Sequence, residues 1–316
     1  MRVVSAAEID RSLAFPALID ALADAFRGDF VVPVRHHHEI ERGGSAGTLL
    51  LMPAWTGAEN AGFLGVKIVS VFPENSARGL PRVLGTYLLM DGVTGAPLAT
   101  LDGTRLTLWR TAAVSALAAR YLSREDASRM VMVGAGALAP YLIRAHMSQR
   151  PIREVAIWNR SPEAARQLAH RLAGEGLPVS AAEDLESAVR EADLVSCATL
   201  ARAPLVKGAW LKAGAHLDLV GAFKPGMREA DDEALQGAAV YIDTERAKTE
   251  GGDVALALQS GAIRESHVRA DLSDLCRGWA RGREGQDGIT VFKSVGTALV
   301  DLAAAILVWR NLGAAS

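Results

Sequence analysis

The chain has only two cysteines in 316 residues, Cys197 and Cys276. Two thiols build no disulfide framework and lack the paired spacing of a zinc site, so a reducing, cytoplasmic setting is expected. Aromatic residues are scarce at 5%, and basic and aromatic side chains form no common stripe. The formal net charge of −2 offers no field to a polyanion, which argues against a nucleic-acid partner. No apolar run reaches membrane-spanning length. Met1-Arg2-Val3-Val4-Ser5 lacks the apolar core of a signal peptide. Internal repeats and low-complexity linkers are also missing. What remains is a globular composition, 50% hydrophobic and 22% charged, long enough for one large or two ordinary domains.

Two kinds of pattern divide the chain. From Met130 to about Phe292, short apolar runs alternate with helical periodicity: Met130–Val133, Glu154–Trp158, Leu194–Ala198, His216–Val220, Ala239–Asp243 and Gly288–Phe292. Such alternation predicts parallel strands with helices on both faces. Before about residue 118 a helix over Ala14–Arg27 precedes strand-like runs at Thr48–Met52, Gly65–Val71, Gly85–Met90 and Pro97–Asp102, separated by short turns as in an antiparallel sheet. A long helix is predicted from about Thr104 to Leu122, and a last apolar helix from Gly296 to Leu312. The expected organisation is an α/β enzyme of two domains with its site between them. Residues 1–118, to which the last helix at 296–316 returns, form an α+β domain, and 119–295 form a Rossmann dinucleotide-binding domain.

The most specific stretch is Val131-Met-Val-Gly134-Ala-Gly136-Ala137-Leu138-Ala139, a Gly-x-Gly-x-x-Ala turn between a strand and a helix expected from Ala137 to about Gln149. Gly134 permits the tight turn, and Gly136 lets a pyrophosphate reach the backbone. Ala139 allows close helix–strand packing, and the helix N-terminus offers free N–H groups to phosphates. An ordinary strand–helix turn would also take small residues; the strand before and helix after favour the dinucleotide. At the end of the next strand a carboxylate would select NAD by binding the ribose hydroxyls, whereas an Arg accommodates a 2′-phosphate. The residues there are Asn159, Arg160 and Ser161, with Ser161 at the N-cap of the following helix. NADP(H) is therefore the preferred cofactor, with NAD(H) possible.

Elsewhere the residues alone leave choices open. Lys67 lies in the apolar run Leu64-Gly-Val-Lys67-Ile-Val-Ser-Val71. Burying its ammonium without a partner is costly, but an outward-facing Lys on an alternating strand costs nothing. His36, His37 and His38 point to alternate faces of a strand and suit a polar surface better than a metal ion. Asp231 and Asp232 open a charged helix and read as caps. No metal is assigned.

The segments Gly65-Val-Lys67, Pro73-Glu-Asn75, Gly79-Leu-Pro81, Asp91-Gly92, Leu108-Trp-Arg110-Thr111-Ala-Ala113, Gly134-Ala-Gly136-Ala137, Trp158-Asn159-Arg160 and Phe292-Lys-Ser294-Val-Gly296 occur in one order and spacing. In these the chain resembles the ornithine cyclodeaminase and mu-crystallin family nearly end to end. The resemblance implies a homodimer built through the N-terminal sheets. It implies that Arg35, Lys67 and Arg110 bind substrate, with Lys67 catalytic, and that Arg110 also approaches the cofactor. It further implies cofactor contacts from Thr86, Thr111, Gly134, Gly136, Ala137, Leu138, Asn159, Arg160, Ser161, Thr199, Val220 and Ser294. A guanidinium such as that of Arg35 suits a planar carboxylate through paired hydrogen bonds.

One departure bears on function. Cyclodeaminases of the family carry a catalytic Asp where this chain has Phe223, within Val220-Gly-Ala-Phe223-Lys-Pro225. Phe can neither give nor take a proton, and deamination with ring closure needs proton shuttling. Reduction of a preformed cyclic imine needs mainly hydride delivery, and this segment looks like that of bacterial Δ1-pyrroline-2-carboxylate reductases. The expected activity is NAD(P)H-dependent reduction of Δ1-pyrroline-2-carboxylate or Δ1-piperideine-2-carboxylate to L-proline or L-pipecolate. The alternatives are an ornithine cyclodeaminase, with Glu229 or Asp231 replacing the missing Asp, and a mu-crystallin-like binding protein without turnover.

Overall fold

The computed structural model describes residues 1–42, 45–57 and 62–314. It divides into two compact units, Met1–Thr111 with Thr297 to the C-terminus, and Ala112–Gly296. The architecture is α/β, as the alternation of patterns predicts.

The first unit runs β1 (Arg2–Val4), α1 (Ala6–Ser12), α2 (Phe15–Arg27), β2 (Phe30–Val31), β3 (His36–Arg42), β4 (Ser45–Thr56), β5 (Phe63–Val71), β6 (Val83–Asp91), β7 (Pro97–Asp102) and α3 (Gly103–Leu122). The strands form one sheet in the order β1-β7-β6-β5-β4-β2, with β3 also on β4. All pairs are antiparallel except β1 with β7. Ser5 and Glu8 form a reciprocal capping box that starts α1. Along α2 the buried residues Phe15, Leu18, Ile19, Leu22 and Phe26 recur at helical spacing and form one apolar stripe. The division between the units falls within α3, after Thr111.

The second unit continues β8 (Arg129–Val133), α4 (Ala139–Met147), β9 (Glu154–Trp158), α5 (Pro162–Gly174), β10 (Val179–Ala181), α6 (Leu185–Glu191), β11 (Leu194–Cys197), β12 (His216–Leu219), α7 (Asp232–Gln236), β13 (Ala238–Ile242), α8 (Ala247–Glu250), α9 (Gly252–Gln259), β14 (Val268–Asp271), α10 (Leu272–Arg277) and β15 (Ile289–Lys293). Its eight strands are all parallel, in the order β10-β9-β8-β11-β12-β15-β13-β14. Parallel strands covered on both faces read as continuous apolar runs, and β8, β11 and β12 are buried almost throughout. Val131, Val133, Val195, Leu217, Leu219 and Val291 form the centre of this core. Each such side chain contributes roughly 1.5–3 kcal/mol on burial. Polar groups are buried in this unit as well: Asp218 accepts from Ser196 Oγ at 2.7 Å and Ser115 Oγ at 3.0 Å, and lies 3.3 Å from His146 Nε2. After β15 the chain returns to the first unit as α11 (Ala298–Ala314).

Candidate active site

In the first unit, Lys67 stands at the middle of β5, directly opposite Met52 of β4 and Tyr87 of β6. Strand alternation sends it inward with Gly65, onto the side where α11 packs, and it is only 3% exposed. Its partner is Asp301 in the first turn of α11, fully buried, with Oδ2 at 2.6 Å from Lys67 Nζ. The other oxygen, Oδ1, accepts from Arg110 Nε at 2.9 Å. Arg110 is buried too, and its terminal nitrogens have no partner among the described residues. Arg35, half-buried between β2 and β3, is close enough that its charge acts on Lys67. Burial, above all, holds the Lys67 ammonium down at about 8; Asp301 pulls it up, while Arg110 and Arg35 push it down. Two cations, Lys67 and Arg110, thus share one buried carboxylate, with the charge of Arg35 acting on Lys67, an arrangement that suits a second, incoming carboxylate.

Tyr87 is fully buried over Gly65, where an added Cβ would lie 2.3 Å from its hydroxyl. Among the described residues that hydroxyl has no hydrogen-bond partner. Burial and the charge of Asp301 hold it well above the usual phenol range. Thr86 leaves the opposite face of β6 and lines a cavity of about 510 Å³ with Ile68, Ser70 and Leu84. Thr111 follows Arg110 on α3 and is half-buried. Asp301 is absent from the sequence expectations. Its signal was a lone acidic residue in an otherwise apolar helical run, which burial makes costly unless a cation meets it.

In the second unit, Gly134 follows β8 with φ +115°, and an added Cβ would fall 2.7 Å from the Ala198 carbonyl oxygen. Only glycine fits there. At Gly136 an added Cβ would meet nothing within 4 Å. No protein neighbour demands that glycine, so the open space beside it fits the approach of a phosphate. The helix expected from Ala137 starts at Ala139 instead, because Ala137 and Leu138 complete a turn closed by Ala139 N–H to Gly136 O at 3.1 Å. Pro140 then sits in the first turn of α4, where its lost donor is harmless.

Asn159, after β9, ties two ends of this edge together. Its Oδ1 accepts from Ala135 N–H at 3.3 Å and its Nδ2 donates to Ser161 O at 3.1 Å. Arg160 and Ser161 are exposed. Ser161 occupies the N-cap of α5 as expected, and its hydroxyl makes no capping bond there. Thr199, Val220 and Ser294 follow β11, β12 and β15 at the same carboxyl edge of the sheet. Phe223 is 45% exposed on the loop after β12. The two carboxylates considered as stand-ins for the missing Asp are committed elsewhere. Glu229 is fully buried and hydrogen-bonded to backbone. Asp231 caps α7 at Ala234 N–H and also accepts from Gly208 N–H.

The family model for ornithine cyclodeaminase/mu-crystallin matches residues 1–315. A protein of Arabidopsis thaliana named SAR DEFICIENT 4 is 43% identical over 281 residues, covering 87% of this chain and 86% of its own. The Δ1-pyrroline-2-carboxylate reductase of Paracoccus denitrificans is 41% identical over 290 residues, covering 91% of this chain and 90% of its own. The solved structure of Thermococcus litoralis Δ1-pyrroline-2-carboxylate reductase, in complex with NADH and L-proline, matches with a TM-score of 0.92. It is 33% identical, covering 100% of this chain and 98% of that one.

Proposed function

The chain belongs to the ornithine cyclodeaminase/mu-crystallin family, and we propose that it reduces a small cyclic imino acid. It is an NAD(P)-dependent oxidoreductase acting on a carbon–nitrogen bond. The substrate is Δ1-pyrroline-2-carboxylate or Δ1-piperideine-2-carboxylate, and the product L-proline or L-pipecolate. The observation that carries this assignment is the set of cations ordered on buried Asp301 in a chain with Phe223 in place of the cyclodeaminase Asp.

Arg35 and Arg110 hold the substrate carboxylate, Arg110 through the guanidinium nitrogens that Asp301 leaves free. Lys67 adds a point charge beside it and orients the imine. Asp301 keeps both cations in place before substrate arrives. The Gly134–Ala139 turn and the edge residues Thr199, Val220 and Ser294 hold the dinucleotide, which supplies the hydride when bound. A cyclic imine protonated in solution brings its own proton, so a hydrocarbon at position 223 is no obstacle to reduction. Ring closure of ornithine with loss of ammonia has no such relief.

The cofactor assigned first is NADPH. Arg160 and Ser161 stand exposed at the end of β9, where no carboxylate would repel a 2′-phosphate. The Thermococcus litoralis relative was solved with NADH, so both coenzymes enter the test. A homodimer through the first unit's sheet accords with exposed Ile68, Val83 and Leu84 on it. Two buried cysteines that form no disulfide suit a reducing cytoplasm. No helix among the described residues is long and apolar enough to cross a membrane.

The deciding experiment follows oxidation of NADPH and NADH with the five- and six-membered imino acids and with pyruvate plus methylamine. A parallel incubation holds NAD with L-ornithine and measures ammonia. Imine-dependent oxidation without ammonia release is expected. Ammonia release at a comparable rate would overturn the assignment in favour of cyclodeaminase.

A further inference from the structure

A buried carboxylate that takes no part in the chemistry above lies beneath the dinucleotide edge of the second unit. Glu229 is fully buried, yet its two oxygens gather four donors from two different loops. Oε1 accepts from Thr199 N–H at 2.6 Å and Thr199 Oγ at 2.8 Å, on the loop after β11. Oε2 accepts from Gly221 N–H at 2.7 Å and Ala222 N–H at 3.2 Å, on the loop after β12. The loops meet so closely that a Cβ on Gly221 would lie 2.0 Å from Thr199 O and 2.4 Å from Glu229 Oε1. The clamp is itself held. Asp253 of α9 accepts from Glu229 N–H at 2.7 Å and Ala230 N–H at 3.0 Å. Its other oxygen pairs with buried Lys293 Nζ at 3.2 Å, and Lys293 also donates to Leu219 O.

We propose that Glu229, as a carboxylate, is the positioning residue that locks Thr199 and the Val220–Phe223 loop into the shape that binds the dinucleotide. This deepens the dinucleotide assignment and rests on it. Four converging donors demand an acceptor-only group. A protonated Glu229 would turn an O–H toward N–H groups that it must accept from, and one loop would be released. The same holds for Gln, whose NH2 replaces one acceptor oxygen.

The charged and titratable groups around Glu229 set where this change falls. Burial is the largest influence and raises its carboxyl, Lys293 of β15 lowers it, and Asp253 of α9 raises it, leaving it at about 7. Cys197 of β11 faces it as a thiol held well above its usual range, in part by Glu229 itself. Asp243, after β13, has its carboxylate spent on Val295 and Gly296 N–H. A carboxyl raised toward neutrality leaves fewer molecules with an ionised clamp as the pH falls below 7, so binding weakens in that direction.

The test is calorimetric binding of NAD+ and of NADP+ to the full chain between pH 5.5 and 8.5. NAD+ carries no 2′-phosphate, so its pH dependence does not come from that group. Binding of both is expected to tighten from pH 6 to pH 8. Glu229→Gln should bind at least tenfold more weakly than the parent at pH 8 and lose the pH dependence, with its Tm followed alongside. Glu229→Asp keeps the charge on a shorter arm and should retain a pH-dependent, weaker binding. A parent that binds neither nucleotide at any pH refutes the dinucleotide assignment itself. A parent that binds with a flat profile, or a Glu229→Gln variant that keeps the parent profile, overturns the clamp alone.

Discussion

Replacing Asp301 by Asn should disarm the cation cluster proposed to bind the substrate carboxylate. Lys67 Nζ lies 2.6 Å from Oδ2 and both groups are buried. At an effective dielectric of about 20 that contact carries about 6 kcal/mol of attraction. One pKa unit corresponds to about 1.4 kcal/mol, so losing even a quarter of the attraction lowers Lys67 by a full unit. From about 8 in the parent it would fall to about 7 or below, and the side chain would be mostly neutral at pH 7.5. A lost charge-assisted contact costs about 1.5–3 kcal/mol, so KM for the imino acid should rise on the order of tenfold or more. Breaking a buried pair also costs about 3–5 kcal/mol of stability. The sign follows from proton uptake. The folded Lys67 pKa lies below its unfolded value in both proteins, and further below in the variant. The part of the stability deficit due to Lys67 is therefore full below the variant's pKa and fades as pH rises through about 8, where both proteins hold a neutral lysine. The Arg110 part persists. The assays are steady-state KM for Δ1-pyrroline-2-carboxylate from pH 6 to 9, NADPH affinity by fluorescence, and Tm across the same range. An Asp301→Asn enzyme with parental KM and parental pH profile would refute the role given to Asp301.

Other outcomes follow from the same geometry. In the parent enzyme KM for the imino acid should climb above about pH 8, as the Lys67 ammonium is lost; a KM unchanged to pH 9.5 contradicts a charged Lys67 in substrate binding. Arg35→Lys keeps the charge but loses paired hydrogen bonds, so KM should rise while NADPH affinity holds; parental KM removes Arg35 from the clamp. Arg160→Ala should narrow the preference for NADPH over NADH by about tenfold or more, checked by titrating both coenzymes; equal affinities in the parent refute the preference. Gly134→Ala should destabilise the fold, from its φ of +115° and the nearby Ala198 carbonyl. Gly136→Ala should spare Tm and weaken dinucleotide binding, and the reverse pattern in Tm would contradict the division of labour between the two glycines.

Much of this protein is written locally. The run Met130–Val133 followed by Gly134 specifies a buried parallel strand and a tight turn, because a fully apolar strand and an obligatory glycine are signals a few residues long. The missing acid after β9 and the Phe at position 223 are likewise visible in the chain itself. The strands β1, β2, β10 and β14 are two to four residues long, too short for alternation to register, and pairing with neighbours alone makes them strands. The site residues divide in the same way. Lys67 was ambiguous on its strand because period two tells which residues share a face but not which face is covered. The arrival of α11 decided that, bringing Asp301 onto Arg110 from 191 positions away. Glu229 looked like a free carboxylate on a loop. Only the folding of two loops and α9 around it made it a buried acceptor of four hydrogen bonds. Periodicity and backbone demands act between near neighbours in sequence, whereas the pairing of buried charges depends on which distant segments the packed core brings together.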